Sequence, residues 1–570
     1  MESLAELRDA LPGFGFNDYL RHARFVEERS TAGAPLRVAV LRSYTVEPIE
    51  PVLKIRLMLD GYLPSCWFGG YNQYVQDVLD PAGRLKQFRP DLILMMIRLE
   101  ELVPDFVEQF PSRPAAEWSD QLASKARELA GLAEQAARDL SAQVIVQNGS
   151  LSRPYFGVYD AQRRDSQVEA MHSYNRALAE AVEELRGVFI WDFDRFVRGR
   201  GADNLYDAKA WYVSRNPFRQ AAYPAIVDDL YRYVRGAVGR VKKCVVMDLD
   251  NTLWGGIAGE DGLEGIELGT TYPGSCYRDF QRELLRLYDR GILLAIDSKN
   301  NEADALRIID EHPDMVLRRH HFAAMRINWQ DKASNLKALV QELNIGMDSL
   351  IFVDDNPAEC ELIRQECPEC DVVLLPDKPY LLPAVVETLP GIENIRLTVE
   401  DRRKGELYRA RADRREHEAQ FANMDDFLRS LDMEVAINAA APFSIPRIAQ
   451  LTQKTNQMNM TTRRYTEAQI AAFAGDPRYG VFSVAARDRF GDHGIIGVVI
   501  AEFSDSVCRI DTLLLSCRVI GRGIEALMVA FVAELARQRS ILHLVGEFIP
   551  TPKNAPAAGF YEAAGFRAAG

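Results

Sequence analysis

The sequence predicts an α/β protein with two doubly wound domains followed by a smaller α+β region, and three observations support this. At 570 residues the chain exceeds the size at which a single core keeps growing, about 250 to 300 residues, so several domains are expected. Strand-like apolar runs alternate with helical stretches in two successive cycles, the pattern of parallel sheets covered by helices. In the second cycle, acidic or polar clusters directly follow the strands, where open α/β sheets bind ligands.

The first cycle runs through "LRVAVLRSYT", "DLILMMIRL", "AQVIVQN" and "GVFIWDF", with helical stretches such as "WSDQLASKARELAGLAEQAARDL" between, and defines a domain over 1–238. The second starts at "KKCVVMDLD" and continues through "RGILLAIDSKN" and "SLIFVDDNP", giving a domain over 239–392. From "LPGIENIRLTVEDRRKGELYRARADRREHEAQ" onward a long charged helix and then an α+β region are expected, together 393–570. There is no fixed-period repeat and no low-complexity segment.

Composition narrows the function classes. Basic residues number 68 and acidic residues 82, and the net charge of −14 argues against a general nucleic-acid or anionic-membrane binder. The opening "MESLAELRDALPGFGF" lacks a basic region followed by an apolar core, and runs such as "LILMMI" are far short of a membrane span, so a cytoplasmic protein is expected. The one Cys-x-x-Cys, Cys367 and Cys370, has no second ligand pair at zinc-site spacing and reads as a reduced surface loop.

The stretch "VVMDLDNTLWGG", Val245 to Gly256, ends an apolar strand on Asp248 and Asp250. Beyond the carboxyl end of a parallel strand, both project into the binding crevice. Ser298 in "LLAIDSKN", Lys332 in "NWQDKASNL" and Asp354 with Asp355 in "IFVDDNP" fall at equivalent places. A lone Asp-x-Asp after a strand is as often a turn or cap signal, but the four elements in order point to phosphoryl chemistry. A carboxylate can attack phosphorus to give an aspartyl phosphate, and the second Asp can protonate the leaving group or activate water. Asp354 and Asp355 would hold Mg2+ with the first Asp, Ser298 would hydrogen-bond a phosphoryl oxygen, and Lys332 would offset the clustered negative charge.

This constellation resembles the haloacid dehalogenase superfamily. "MDLDNTLWGGIAGEDG", "DSKNNEADAL", "FVDDNPAE", "LTQKTNQMNMTTRRY", "LLSCRVIGRGIE" and "PTPKNAPAAGFYEAAGF" together resemble the FkbH-like glyceryl transferase/phosphatases of polyketide pathways, over most of residues 240 to 570. The resemblance implies an enzyme that takes 1,3-bisphosphoglycerate, removes phosphate and delivers the glyceryl unit to the phosphopantetheine thiol of an acyl carrier protein. It makes Asp248 the nucleophile and Asp250 the acid/base, places Ser298 and Lys332 on phosphate, and gives a metal set of Asp248, Asp250, Asp354 and Asp355. Thr252 and Asn300 are the substrate-binding candidates. The interval between the first two motifs is under about fifty residues, too short for a large cap, which suits a macromolecular partner.

Asp297 departs from the pattern, since the residue before Ser298 is commonly Cys in that family and is taken to carry a glyceryl thioester. An acyl-carboxylate anhydride is a poor store, so Asp297 puts the covalent relay in question, or is simply a further carboxylate paired with Lys299 or Lys332. Cys517 is an alternative thiol or a buried strand cysteine packing as a small hydrophobe.

The C-terminal region resembles a Gcn5-related acetyltransferase. Arg518 to Gly523 fits a loop whose N–H groups grip a pyrophosphate at a helix N-terminus, so Arg518, Gly521, Arg522 and Gly523 are candidates for the carrier's phosphopantetheine, with Asn554 and Tyr561 next. The basic run Arg402, Arg403, Lys404, Arg409, Arg411, Arg414 and Arg415 is either a face for an acidic carrier protein or a solvated helix face. The N-terminal domain resembles an SGNH hydrolase, with Ser43 in "VLRSYT" and "GGYNQY" near strand ends. The late Asp-x-x-His element is absent from "YVSRNPFRQAAYPAIVDD", so Ser43 lacks its proton acceptor and the domain reads as a degenerate docking or scaffold domain. Two rival readings of the whole chain are a plain Mg2+-dependent small-molecule phosphatase and a noncatalytic assembly scaffold.

Overall fold

A computed structural model describes residues 7, 10–29, 33–239, 241–396, 424–489, 491–504, 506–516, 519–551 and 553–568. The chain divides into two compact units, Met1–Val238 with Thr466–Gln469, and Gly239–Tyr465 with Ile470–Gly570.

In the first unit β1 (Ala34–Arg42), β2 (Tyr62–Phe68), β3 (Leu92–Met96), β4 (Gln143–Gln147) and β5 (Val188–Trp191) form a parallel sheet in the order β2-β1-β3-β4-β5. Every residue of β3 and β4 is buried, which explains why "LILMM" and "VIV" show no polar alternation. The helix Ala115–Leu140 lays a stripe of Trp118, Leu122, Ala126, Leu129, Ala133 and Ala137 on the core, at helical spacing, and packs against the helix Gln167–Glu183. The second of these helices starts at Ser166, whose Oγ accepts the Glu169 N–H at 3.0 Å. Ser43, just past β1, is wholly buried, and its Oγ accepts the Arg98 N–H at 2.9 Å, tying the loop after β1 to the loop after β3.

The second unit contains β6 (Cys244–Met247), β7 (Leu293–Ser298), β8 (Phe322–Ile327), β9 (Leu350–Asp354) and β10 (Asp371–Leu374), again all parallel, in the order β10-β9-β6-β7-β8. The chain starts in the centre at β6, steps outward through β7 and β8, and returns to β9 and β10 on the other side. A crevice therefore opens at the carboxyl end of β6. Strand alternation divides the side chains between two cores. Val245, Met247, Leu294 and Ile296 meet Phe280, Leu284 and Leu287 of the helix Gly274–Asp289. On the opposite face Cys244, Val246, Leu293 and Ala295 meet Leu336 and Leu339 of the helix Lys332–Leu343. Cys367 and Cys370 belong to this second core, so the expected surface loop is corrected: the thiols are buried and pack as small hydrophobes.

The rest of the second unit is mixed. The strands β11 (Glu434–Ala439), β12 (Met458–Asn459), β13 (Tyr479–Asp488), β14 (Gly491–Phe503) and β15 (Val507–Leu515) form an antiparallel sheet in the order β11-β13-β14-β15-β12, and β16 (His543–Gly546) pairs parallel to β15. Met528, Val529 and Val532 of the helix Ile524–Gln538 pack with Ile510, Leu513 and Leu515. The basic run from Arg402 to Arg415 lies outside the described residues. Among the described residues, no helix is long and apolar enough to cross a membrane.

One buried polar side chain fixes the segment that follows β6. Gln281, wholly buried, donates from Nε2 to Leu253 O at 2.7 Å and accepts at Oε1 from the N–H groups of Val316 at 2.9 Å and Leu317 at 3.1 Å. Gln281→Leu keeps the volume but strands three backbone groups, so stability should fall by about 2–5 kcal/mol. Urea unfolding followed by circular dichroism checks this; a loss under about 1 kcal/mol would mean that these groups find other partners.

Candidate active site

The strand ends predicted from the sequence converge on one crevice. The register that pairs Met247 with Val353 sets Asp248 beside Asp354 at the ends of the neighbouring strands β6 and β9. Lys332 is the first residue of its helix, and that start is fixed by Asp331, whose Oδ1 accepts the Ser334 N–H at 2.8 Å. From there the Lys332 side chain, only 3% exposed, reaches both carboxylates, with Nζ 3.0 Å from Asp248 Oδ2 and 2.6 Å from Asp354 Oδ2. Burial alone would lower the Lys332 ammonium, but Asp248 and Asp354 outweigh it and hold the amine above its usual range.

The carboxylates are shifted upward as well, which for them favours the neutral form. Burial first, and the Asp248 charge second, push both Asp354 and Asp355 above the ordinary range. Oxygens of Asp248, Asp354 and Asp355 lie within 4.8 Å of one another, and among the described residues these three alone form a group able to hold a metal ion. Asp248 Oδ1 is buried and makes no hydrogen bond, leaving its lone pairs unmatched. Three oxygens with that orphan fit a hard divalent cation.

Asp250 is placed differently from the expectation that made it a metal ligand. Its carboxylate accepts from Trp254 Nε1 at 2.9 Å, from Ala258 N–H at 3.0 Å and from Asn300 Nδ2 at 2.9 Å, and it lies outside the metal group. Asn300 is correspondingly engaged with Asp250 rather than held open for substrate; its Oδ1 accepts the Asn301 N–H at 2.9 Å. Thr252 is wholly buried with Oγ1 unbonded, and Ser298 is buried at the end of β7.

Asp297 is wholly buried on the face of β7 opposite Ser298, the face where Leu293 and Ala295 pack with Val246, Phe352 and the helix that carries Lys332. Its Oδ1 accepts from Asn335 Nδ2 at 3.0 Å, while Oδ2 has no partner. Neither lysine proposed as its partner pairs with it: Lys299 Nζ sits 2.5 Å from Glu359 Oε1, and Lys332 is committed to Asp248 and Asp354. Burial pushes the Asp297 carboxyl up to about 8, against the weaker opposing pulls of Asn335 and Lys332.

The C-terminal candidates hold the fold together. Gly521 and Gly523 both take positive φ, 81° and 79°, and Gly523 caps the helix Ile524–Gln538. The reading of this loop as an open phosphate cradle needs one correction: the Gly521 N–H donates to Glu525 Oε1 at 2.6 Å, so a carboxylate of the chain already takes that donor. Arg522 lies 3.5 Å from Asp488 Oδ2, which also meets His493 Nε2 at 3.0 Å. Asn554 is saturated by the carbonyls of Asn459 and Ile549 and by the N–H and Oγ1 of Thr551. Tyr561 is buried against Gly546, where an added Cβ would come within 2.5 Å of its ring. Cys517 and Arg518 lie outside the described residues.

Sequence reasoning missed Trp254, Ala258 and Asn335, the partners that orient Asp250 and Asp297. Trp254 stood inside the quoted motif, and Asn335 falls one helical turn after Lys332, but both spacings read equally well as core packing.

Residues 243–369 match the family described as NLI interacting factor-like phosphatase, so the crevice belongs to a haloacid-dehalogenase-like phosphatase domain. Residues 62–231 match the N-terminal domain of FkbH, and the two matches together bear out the resemblance of this chain to FkbH-like proteins. A crystal structure of the N-terminal part of a Bacteroides fragilis protein containing a phosphatase domain, complexed with Mg, is similar at 26% identity and TM-score 0.60, covering 67% of this chain and 100% of that one. An acetyltransferase from Trypanosoma brucei is 13% identical with TM-score 0.19, covering 24% of this chain and 95% of that one, a likeness too slight to argue from. No curated protein matches the sequence.

The raised Asp297 carboxyl sets a pH dependence. Its folded value of about 8 lies above the unfolded value of roughly 3.9, so between them the folded chain keeps a proton that the unfolded chain releases. Its contribution to stability is full below about pH 4 and is lost as pH rises through about 8. Asp297→Asn, which cannot ionise, should match the parent near pH 4 and become progressively more stable than it toward pH 8 and above. Thermal unfolding of both chains across that range checks the sign, and parallel curves would mean that Asp297 is ionised throughout.

Proposed function

We propose that the chain is a Mg2+-dependent phosphoryl-transfer enzyme of the FkbH type, with Asp248 as nucleophile. The observation that carries this is the orphaned Asp248 Oδ1, held beside Asp354 and Asp355 by Lys332. Asp248 Oδ1 attacks phosphorus, the bond to the leaving oxygen breaks, and Asp250 supplies the proton that oxygen takes. In the second half Asp250 receives a proton from the water that attacks the aspartyl phosphate. Lys332 offsets the negative charge of Asp248 and Asp354, and Ser298 would hydrogen-bond a phosphoryl oxygen. Asp248, Asp354 and Asp355 would hold a Mg2+ ion, which would neutralise charge on the phosphoryl oxygens; its identity is taken from the similar Bacteroides fragilis phosphatase domain.

The FkbH resemblance suggests the substrate and acceptor: 1,3-bisphosphoglycerate, and the phosphopantetheine thiol of an acyl carrier protein in polyketide or related biosynthesis. Asp248 takes the phosphate ester and leaves the acyl phosphate intact; the carrier thiol, giving its proton to solvent, attacks the acyl carbon directly with that second phosphate as leaving group, a route that needs proximity but no enzyme thiol and so suits Asp297 in place of Cys. In this reading the N-terminal domain, 1–238, is a degenerate SGNH-like docking domain. Residues 239–392 do the phosphoryl chemistry, and a Gcn5-related region, 393–570, receives the carrier arm at Gly521, Arg522 and Gly523, in the cytoplasm. A second reading, a small-molecule phosphatase that needs no carrier, is favoured by one observation: Glu525 occupies the Gly521 donor.

Without a carrier protein, Asp248→Asn, or EDTA, should abolish the enzyme-dependent phosphate release from 1,3-bisphosphoglycerate, and release unchanged by both would remove the mechanism. Intact-mass analysis of carrier proteins incubated with the chain and 1,3-bisphosphoglycerate should show a glyceryl increment on the carrier, with no stable glyceryl mass on the enzyme. Phosphate release with no increment on any carrier would select the second reading.

A further inference from the structure

Resting on the phosphoryl-transfer reading, we infer that Trp254 and Asn300 are positioning residues that confine the proton exchanged by Asp250 to one oxygen, Oδ2. Oδ1 accepts two hydrogen bonds, from the Trp254 indole at 2.9 Å and the Ala258 N–H at 3.0 Å. Oδ2 accepts one, from Asn300 Nδ2 at 2.9 Å. A carboxylate oxygen offers about two acceptor sites, so Oδ1 is filled and Oδ2 retains a single open one. The turn after β6 makes this possible. Asn251 takes φ 55°, Leu253 N–H donates to Leu249 O at 2.8 Å, and residue 254 folds back to bridge with residue 250. The Trp254 ring is wholly buried, so its N–H has no water to compete for it, and Asn300 is anchored in turn by the Asn301 N–H.

The two chemical steps depend on Asp250 differently according to the leaving group. In the first, the phosphorus–oxygen bond breaks, its electron pair stays on the leaving oxygen, and the proton moves from Asp250 Oδ2 to that oxygen. An alkoxide needs this proton, whereas the carboxylate that leaves from an acyl phosphate is stable without it. In the second, Asp250 is ionised, having given its proton to the alkoxide or, where a carboxylate left without it, to solvent; water attacks phosphorus, its proton passes to Asp250 Oδ2, and the bond to Asp248 breaks. An unsteady Asp250 therefore slows both steps for an alkyl phosphate but only the second for an acyl phosphate.

The test compares ethyl phosphate with acetyl phosphate on the full chain in Mg2+, measuring turnover and acid-quenched aspartyl phosphate by mass. Trp254→Phe should lower ethyl phosphate turnover about 10- to 100-fold, the effect of losing one hydrogen bond to a charged group. With acetyl phosphate the same variant should accumulate aspartyl phosphate on Asp248 above the parent level. Asn300→Ala should behave alike, and decides the matter alone if circular dichroism shows Trp254→Phe unfolded. Proportional loss on both substrates without accumulation, or unchanged kinetics in a parent that turns over, would overturn the inference while leaving the phosphoryl-transfer reading intact. A parent that forms no aspartyl phosphate and releases no phosphate from these two substrates or from 1,3-bisphosphoglycerate overturns both.

Discussion

The ammonium of Lys332, buried between Asp248 and Asp354, is the contact on which the rest of the crevice depends. Each of the three ions costs several kcal/mol to take out of water, and the arrangement holds because one cation is in hydrogen-bond reach of both anions. Meeting that requirement constrains distant parts of the chain. The helix must start at residue 332, which the Asp331 cap secures, and β9 must lie against β6 in the register that sets 354 beside 248. One cation against three carboxylates leaves the cluster negative, which is the electrostatic case for a divalent ion at Asp248, Asp354 and Asp355.

Much of the central architecture was legible in the sequence because each strand is a short apolar run that ends in a polar cluster. Asp248, Ser298 and Asp354 could be placed at strand ends from this alone, and Lys332 just after one. What could not be read was the direction of each side chain. Asp250 follows Asp248 by two residues, yet a positive-φ turn at Asn251 carries its carboxylate to Trp254, Ala258 and Asn300 instead of the cation group. Asp297 and Ser298 are adjacent, and strand alternation sends them to opposite faces, with Asp297 on the face that Leu293 and Ala295 share with Val246, Phe352 and the helix carrying Lys332. Burial also decided cases that polarity alone leaves open, as at Cys367 and Cys370.

The C-terminal loop shows how a motif can be present and already satisfied from within. "GRGIE" has the glycines that let backbone donors approach an anion, and the glutamate four residues on supplies one. Linear spacing identifies the donors, whereas which acceptor they meet depends on the rotamer of Glu525. In the first unit, Ser43 presents the same situation in reverse: the hydroxyl that a hydrolase would expose is enclosed and accepts a backbone N–H.

The strand order has a consequence for how competence is acquired. Asp248 lies at the end of the first strand of its sheet and Asp354 at the end of the fourth, so two neighbours in the crevice are joined through a long stretch of chain that holds β7 and β8 on the other flank. Loop-closure entropy opposes the pairing of β9 with β6 until the intervening segments are ordered. A register slip of a single residue between β9 and β6 would also draw Asp354 away from Lys332. The cation and the second carboxylate beside the nucleophile therefore both come from chain beyond β8, and Asp248 acquires them only where the β9–β6 pair and the helix from Lys332 are in place together.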